Sequence, residues 1–372
     1  MDPHSLVSSS FWESDVSWLM QPGELTRIPN LPIPSLVFAT SGSTGGARFL
    51  ALSRQSLLTS ARAVNEHCRV DASSVWGLCL PWWHVGGFGV IARTHVSGCQ
   101  LTIDPERWNA NSCFTWLSES RVTHLSLVPT QLHDLVEAGF HGPASLKVII
   151  VGGGRLEAPL ARKAREQGWP ALASYGMTEA GSQIATQDPD SLNHPYDSEF
   201  LPILPHWQLR VDDAGQISIR GPALFHGELQ VQNDSWSYHK RQGDWYETND
   251  CGELLDNRIL VTHRADTLVK VLGELVNPAA MESQLIELGL PSGKIAVLAL
   301  SHPRQQHRLV MVHENLPETW VATVLEKYHQ RCRGYERLTE VVCLPDFPRS
   351  DMGKILRKLL ISRLPEPFQF RE

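Results

Sequence analysis

Every residue of Thr40-Ser41-Gly42-Ser43-Thr44-Gly45-Gly46 is a hydroxyl or a glycine. Glycines let successive backbone N–H groups converge, and hydroxyls donate hydrogen bonds without adding a fixed charge; both suit a polyphosphate. The loop is not a Walker A element, because no Gly-Lys-Ser/Thr follows it. Alone, it reads equally as a flexible surface linker. Tyr175-Gly176-Met177-Thr178-Glu179 places an aromatic face, a turn glycine, a hydroxyl and a carboxylate in one short segment. The ring can stack on a purine and the threonine can bond a phosphate. Glu179 can hold Mg2+, which takes oxygen ligands and keeps substrate phosphates among them. The plain alternative is a loop with a solvated glutamate. Gly152-Gly153-Gly154 would let a flat adenine lie against backbone, and serves equally as a strand-to-helix turn. Asp250 can accept two ribose hydroxyls while Arg264 reaches the same sugar; otherwise they are a surface charge pair. Lys354 ends Pro348-Arg349-Ser350-Asp351-Met352-Gly353-Lys354. The bend at Gly353 would present it into a cleft, although a loop lysine of this kind is ordinarily solvated.

These groups need elements to position them. Ser35 to Ala39 is a compact apolar run that predicts a strand feeding the 40–46 loop. Ser53 to Cys68 predicts a helix capped by Ser53. Val75 to Leu80 predicts a strand and Phe88 to Arg93 a helix. His124 to Val128 and Lys147 to Val151 predict two buried strands, each followed by a turn signal, Pro129-Thr130 and Gly152–Gly154. Strands alternating with helices predict a largely parallel sheet with sites at its strand ends. Residues 1 to about 30 read as a short lead-in. Short alternating runs such as Gln216-Ile-Ser-Ile-Arg220 predict a small antiparallel β unit over about 200–265. A shorter α+β stretch follows Asp266. The expected class is α/β: an N-terminal domain over 1–265 with mixed, largely parallel sheets, and a smaller mobile domain over 266–372.

Bulk properties narrow the function. The 372 residues carry 33 basic and 40 acidic side chains, for a formal charge of −7, with no basic tract. That speaks against nucleic acid as the main partner. Hydrophobic residues make up 42% and charged residues 20%, as in ordinary globular chains. No run approaches the roughly 18 apolar residues of a membrane span. The start shows no basic segment followed by an apolar one, so no secretory signal is visible. The 7 cysteines are scattered without a Cys-x-x-Cys pair, which predicts idle thiols in a reducing cytoplasm.

Together, in this order, the motifs resemble those of the adenylate-forming acyl-CoA synthetase (AMP-binding) superfamily, over about residues 35 to 360. The family's phosphate loop matches Thr40–Gly46, and its Tyr-Gly-x-Thr-Glu motif matches Tyr175–Glu179. Its Thr-x-Asp ribose motif matches Thr248-Asn249-Asp250. Its hinge pattern matches Arg264, Asp266, Lys270 and Gly273, and its catalytic-lysine motif ends at Lys354. Within the superfamily the chain looks like the 2-succinylbenzoate–CoA ligases of menaquinone or phylloquinone biosynthesis. That likeness rests on Ser182-Gln183 and on Pro81-Trp-Trp-His84-Val-Gly-Gly87 followed by Arg93.

The resemblance implies an ATP- and Mg2+-dependent ligase that joins a small aromatic mono- or dicarboxylic acid to CoA through an acyl-adenylate. Thr40, Ser41, Gly42, Ser43, Thr44, Gly45, Gly153, Gly154, Tyr175, Gly176, Met177, Thr178, Asp250 and Arg264 would bind the nucleotide. Lys354, Thr178 and His84 would be catalytic, and Glu179 would hold the metal. His84, Arg93, Thr130, Gly152, Ser182 and Gln183 would face the acid. Arg93 would meet its non-reacting carboxylate, or else be a structural helix arginine. Asp266 would be the hinge, and Lys270 and Gly273 would lie toward CoA. The expected assembly is a monomer or homodimer. Two departures stand out: Ala47-Arg48-Phe49 replaces the usual Pro-Lys-Gly, and the N-terminus is short for the superfamily. Competing readings are a ligase for another aromatic acid, an enzyme loading a carrier-protein thiol, and a non-catalytic nucleotide-binding relative.

Overall fold

The computed structural model describes residues 2–41, 47–197, 200–232, 235–302, 306–351 and 353–365. The chain divides into two compact units, one of residues 1–156, 161–248 and 252–261, the other of 157–160, 249–251 and 262–372. The first half of the chain runs α1 (Ser9–Trp12), β1 (Ser17–Gln21), β2 (Glu24–Ile28), β3 (Ser35–Ser41), β4 (Ala47–Ser53), α2 (Arg54–His67), β5 (Val75–Leu78), α3 (Val85–Ser97), β6 (Gln100–Ile103), α4 (Ala110–Glu119), β7 (His124–Leu127), α5 (Pro129–Glu137), β8 (Val148–Val151), α6 (Ala158–Glu166), β9 (Ala171–Met177) and β10 (Ser182–Thr186). β11 (Leu201–Pro202), β12 (Gln208–Val211), β13 (Gln216–Arg220), β14 (Gly227–Gln232), β15 (Ser235–Lys240), β16 (Tyr246–Leu255) and β17 (Arg258–Arg264) follow.

Local signals account for several boundaries. Ser53 caps α2, accepting from the Ser56 N–H at 3.0 Å. Gly98 ends α3 in the left-handed region at φ 64°. β7 and β8 are buried at every position, as strands covered on both faces must be. They belong to a six-stranded sheet ordered β10-β9-β8-β7-β5-β6. Its pairs are parallel except for the antiparallel edge strand β10, which is the α/β pattern expected from the sequence. A second six-stranded sheet runs β15-β14-β4-β3-β1-β2, and a five-stranded one runs β11-β17-β16-β13-β12.

The remaining elements are β18 (Val269–Val271), β19 (Glu274–Val276), α7 (Pro278–Glu287), β20 (Ile295–His302), β21 (Gln306–Glu314), α8 (Glu318–His329), β22 (Glu340–Leu344) and α9 (Arg357–Ser362). β19, β18, β21 and β20 form a sheet in that order, with β22 parallel to β21. One apolar cluster joins Met281 and Leu285 of α7 to Val297, Met311, Val321 and Val324. Another joins Leu298, Val310 and Val312 to Leu360 of α9. Alternate residues of β20 and β21 thus enter different clusters, and the sheet carries apolar packing on both faces.

Four local readings change. The N-terminal segment is structured: β1 pairs in parallel with β3 and β2 completes a hairpin. Leu6 and Trp12 are buried, with the Trp12 ring 5.6 Å from Phe88 on α3. Such short pieces show no period of their own; a distant helix supplies their partner. The 200–265 region is divided, because β14 pairs with β4 and leaves the five-stranded sheet. Pro129-Thr130 opens α5 instead of a turn, since proline at N1 lacks only an N–H that has no intrahelical acceptor. Tyr175–Met177 are the end of β9, and Thr178–Ala180 form a single 3-10 turn.

Candidate active site

Ten of the expected site residues lie at or just beyond the C-terminal ends of parallel strands, where open α/β sheets bind ligands. His84 lies beyond β5 and is the N-cap residue of α3. Thr130 opens α5 after β7. Gly152, Gly153 and Gly154 follow β8, and a Cβ on Gly152 would lie 3.0 Å from Ser174 Oγ on β9. Tyr175, Gly176 and Met177 close β9, and Thr178 and Glu179 continue from it. β10 returns antiparallel, placing Ser182 beside Met177 and Gln183 beside Gly176. The strands approach so closely that a Cβ on Gly176 would meet the Ser182 carbonyl oxygen at 2.1 Å. Gln183 is buried, and its Oε1 has no hydrogen-bond partner among the described residues.

Arg93 points into this region from α3 and is 2% exposed. Its guanidinium donates to Ser126 Oγ at 3.1 Å and to Ser182 Oγ at 3.0 Å. It also lies 5.3 Å from the ring centroid of Trp76. Gly89, one turn earlier, leaves the space: a Cβ there would be 3.0 Å from an Arg93 terminal nitrogen. Among the described residues no carboxylate pairs with Arg93. Burial pulls its pKa down to about 10, and burial pushes the nearby Cys68 thiol up to about 12. The thiol is therefore neutral at pH 7 and is no counterion. A buried charge normally has a partner; here two hydroxyls and an indole face stand in for one.

A second cluster surrounds Glu179. Arg48 on β4 donates to Glu179 Oε1 at 3.3 Å and bonds closely to Glu228 of β14. Tyr246 donates to the same Glu179 Oε1 at 3.3 Å. Burial works to lower the Arg48 pKa, but the hydrogen bond and charge of Glu228 outweigh it, so Arg48 stays protonated. Burial first, then the Glu179 charge, raises the Tyr246 phenol to about 12. Thr40 pairs with Arg48 across β3 and β4, so the loop between these strands begins beside this cluster. Gly42, Ser43, Thr44 and Gly45 lie outside the described residues. No group of three or more His, Cys, Asp or Glu among the described residues could hold a metal alone. A single accessible carboxylate is what Mg2+ uses when a nucleotide supplies phosphate ligands, and Glu179 fits that requirement.

In the second unit, Arg264 donates to both Asp266 carboxylate oxygens, at 3.0 and 3.1 Å, and to Asp250 Oδ1 at 3.5 Å. The bond from Arg264 holds the Asp266 carboxyl below its usual range. Lys354 closes a tight turn in which the Ser350 N–H donates to the Lys354 carbonyl at 2.9 Å, with Gly353 at φ 70°. The Lys354 side chain keeps solvent access, yet enough protein surrounds it that desolvation lowers its pKa. Arg264 and Arg357 lower it further, and Asp266 and Asp250 oppose them. Lys270 lies on β18, and Gly273 forms with Leu272 a two-residue turn to β19 in which both φ angles are positive. Thus Asp250, Arg264, Asp266 and Lys354 form one electrostatic group, while Lys270 and Gly273 sit on a separate hairpin.

Ser126, Trp76, Glu228 and Tyr246 were not marked by sequence motifs. Ser126 had one signal, a lone hydroxyl inside the apolar run His124–Val128. The others lie in distant strands and show their roles only through pairing.

A parallel sheet with glycine and hydroxyl segments at its strand ends defines a nucleotide-binding α/β architecture. The chain belongs to the AMP-binding enzyme family, whose sequence profile matches residues 17–232. Among its relatives, 2-succinylbenzoate–CoA ligase of Enterococcus faecalis is 26% identical, over 99% of this chain and 74% of that protein. The enzyme of that name from Staphylococcus aureus is 26% identical, over 88% of this chain and 66% of that protein. The chain therefore spans about two thirds to three quarters of these relatives' lengths. o-Succinylbenzoate CoA synthetase (MenE) from Bacillus subtilis, solved with the acyl-adenylate OSB-AMP, superposes with TM-score 0.72 at 22% identity. That match covers 87% of this chain and 68% of that one. ATP-bound MatB from Rhodopseudomonas palustris gives TM-score 0.74 at 21% identity, over 90% of this chain and 69% of that one. No described helix is long and apolar enough to cross a membrane.

Proposed function

We propose that this protein is an AMP-forming acid–CoA ligase whose acid carries a second carboxylate, with 2-succinylbenzoate as its substrate. The observation that carries the reading is Arg93: a guanidinium sealed inside the protein, with no carboxylate partner among the described residues, beside the segment that aligns with the nucleotide motif. An acid bearing a distal carboxylate completes that charge; a monocarboxylic acid leaves it as it is. The named 2-succinylbenzoate ligases among the relatives support the same assignment.

In the proposed reaction the substrate carboxylate attacks the α-phosphorus of ATP and pyrophosphate leaves. The CoA thiol then attacks the acyl-adenylate and AMP leaves. The protein contributes mainly position and charge. Thr178 and the 40–46 loop hold phosphate oxygens, Tyr175 and Gly153–Gly154 hold the base, and Asp250 and Arg264 hold the ribose. Glu179 would hold Mg2+, which neutralises phosphate charge when bound. His84 stands at the acid's reacting end. Lys354 bridges carboxylate and phosphate oxygens in the first step and is withdrawn before the second by rotation about Asp266. Lys270 and Gly273 then face CoA. The test is pyrophosphate release across a panel of acids, with and without CoA, including 2-succinylbenzoate with its distal carboxylate replaced by an amide. The reading expects the diacid to exceed the amide by at least tenfold in kcat/KM. Equal values remove the diacid assignment, and no release with any acid removes the ligase.

A further inference from the structure

The bridge made by Arg48 is asymmetric. β14 places Glu228 opposite Leu50, on the face of β4 that Arg48 shares. From there Glu228 makes the closer of the two carboxylate contacts to the guanidinium, and Glu179 lies at 3.3 Å. Among the described residues both donors to the Glu179 carboxylate, Arg48 and Tyr246, land on Oε1. Among the described residues no hydrogen bond reaches its Oε2. The Glu179 side chain is 14% exposed and that of Arg48 36%, so both are accessible. Arg48 has a planar fork able to serve two acceptors at once, which an ammonium does not offer. The pair also sits where β3 and β4 flank the hydroxyl and glycine loop.

We propose that Glu228 is a positioning residue that anchors Arg48 as a displaceable clamp: the polyphosphate of an incoming nucleotide replaces Glu179 on the guanidinium, releasing Glu179 for the nucleotide's metal, while Glu228 keeps its hold. This inference rests on the ATP-dependent reading above. Without ligand, Arg48 neutralises the carboxylate that the metal needs. The exchange swaps one anion on Arg48 for another and leaves Glu179 open to a divalent cation, so Mg2+ and polyphosphate favour each other's binding. Glu228 prevents the guanidinium from collapsing fully onto Glu179. Because the exchange needs β- and γ-phosphates, AMP binding lies outside it.

The test is calorimetric titration of the full chain with ATP and with AMP, each with and without Mg2+, on wild type, Glu228→Gln, Arg48→Ala and the double variant. Glu228→Gln should weaken Mg2+–ATP binding about tenfold and reduce the gain that Mg2+ gives to ATP binding, with AMP affinity unchanged within twofold. In the Arg48→Ala background Glu228→Gln should have no further effect, since Glu228 acts only through Arg48. Glu228→Asp should restore part of the lost affinity. Equal weakening of AMP and ATP, or full additivity with Arg48→Ala, overturns the proposal in favour of a merely structural glutamate. Wild type that binds ATP with a Mg2+ gain matched by Glu228→Gln overturns this inference alone. Wild type that binds no ATP removes the nucleotide reading beneath it.

Discussion

In the proposed ligase, Arg93 would set substrate affinity against stability. A buried charge without a counter-charge loses hydration that two serine hydroxyls and an indole replace only in part. Replacement of a whole buried ion pair by apolar groups of similar volume is often neutral or stabilising by about 1–4 kcal/mol, and among the described residues Arg93 has no counter-charge to leave behind. Arg93→Met should therefore keep or raise Tm, while raising KM for the diacid at least tenfold and leaving nucleotide affinity unchanged. Thermal unfolding and steady-state kinetics on the same preparation check this. A large fall in Tm would mark Arg93 as a structural strut, with no need of a substrate carboxylate.

Elements act through closeness and through burial. Two glycines separate these effects. A Cβ on Gly89 would meet side-chain ends, the Arg93 guanidinium at 3.0 Å and Ser182 Oγ at 3.4 Å. Gly89→Ala should shift the guanidinium by a few tenths of an ångström, raising KM for the acid several-fold with little change in Tm. A Cβ on Gly176 would meet backbone, the Ser182 carbonyl oxygen at 2.1 Å. Gly176→Ala should push β9 and β10 apart and cost about 1–3 kcal/mol, as overpacking does. Denaturant unfolding of the two variants side by side should place nearly all the stability loss in Gly176→Ala.

Strand packing also gives stability a pH dependence. His226 bonds Ser35 Oγ at 2.6 Å and Tyr238 Oη at 2.8 Å, so β3, β15 and the approach to β14 meet at one imidazole. Burial, then Arg241, depresses the His226 pKa to about 4, and burial depresses that of His206 to about 4. Both rings are neutral in the folded state at pH values where the unfolded chain takes up protons. Their full contribution is thus present above about pH 6.5 and is lost as pH falls toward 4. Unfolding free energy should drop across that window, by on the order of 2 kcal/mol for each ring. Urea titrations at pH 7, 5.5 and 4.5 measure the slope, and His226→Gln should reduce it, His206, His124 and His313 supplying the rest. An unchanged slope in that variant would assign the dependence to other groups.

At the scale of the molecule, the proposed cycle divides its chemistry between the steps. Lys354→Ala should lower acyl-adenylate formation by several orders of magnitude. It should spare thioester formation from a supplied acyl-adenylate, because the contact belongs to one transition state only. Single-turnover assays of the two half-reactions decide the point; equal losses would defeat a two-conformation cycle. The low Lys354 pKa comes from desolvation and from the neighbouring arginines. An incoming polyanion reverses the second of these influences, so nucleotide should hold the ammonium charged.

The sequence by itself determined the α/β class, the positions of β3, β5, β7, β8, α2 and α3, and the order of the family motifs. These are local properties: apolar runs such as Val148–Val151, the Ser53 cap, and glycine or hydroxyl segments whose chemistry is written in consecutive residues. It also marked Arg93, Glu179 and Lys354 as charges of interest. Tertiary structure alone decided what those charges face. Ser126 and Trp76 reach Arg93 from strands of the parallel sheet, Glu228 meets Arg48 from 180 positions away, and the β14–β15 hairpin leaves the strands before and after it to pair with β4. The N-terminal Leu6 and Trp12 are core residues only because α3 offers them a surface. Hydrogen bonding and burial depend on distance in space, and no spacing along the chain encodes which distant strand will come to lie beside a given side chain.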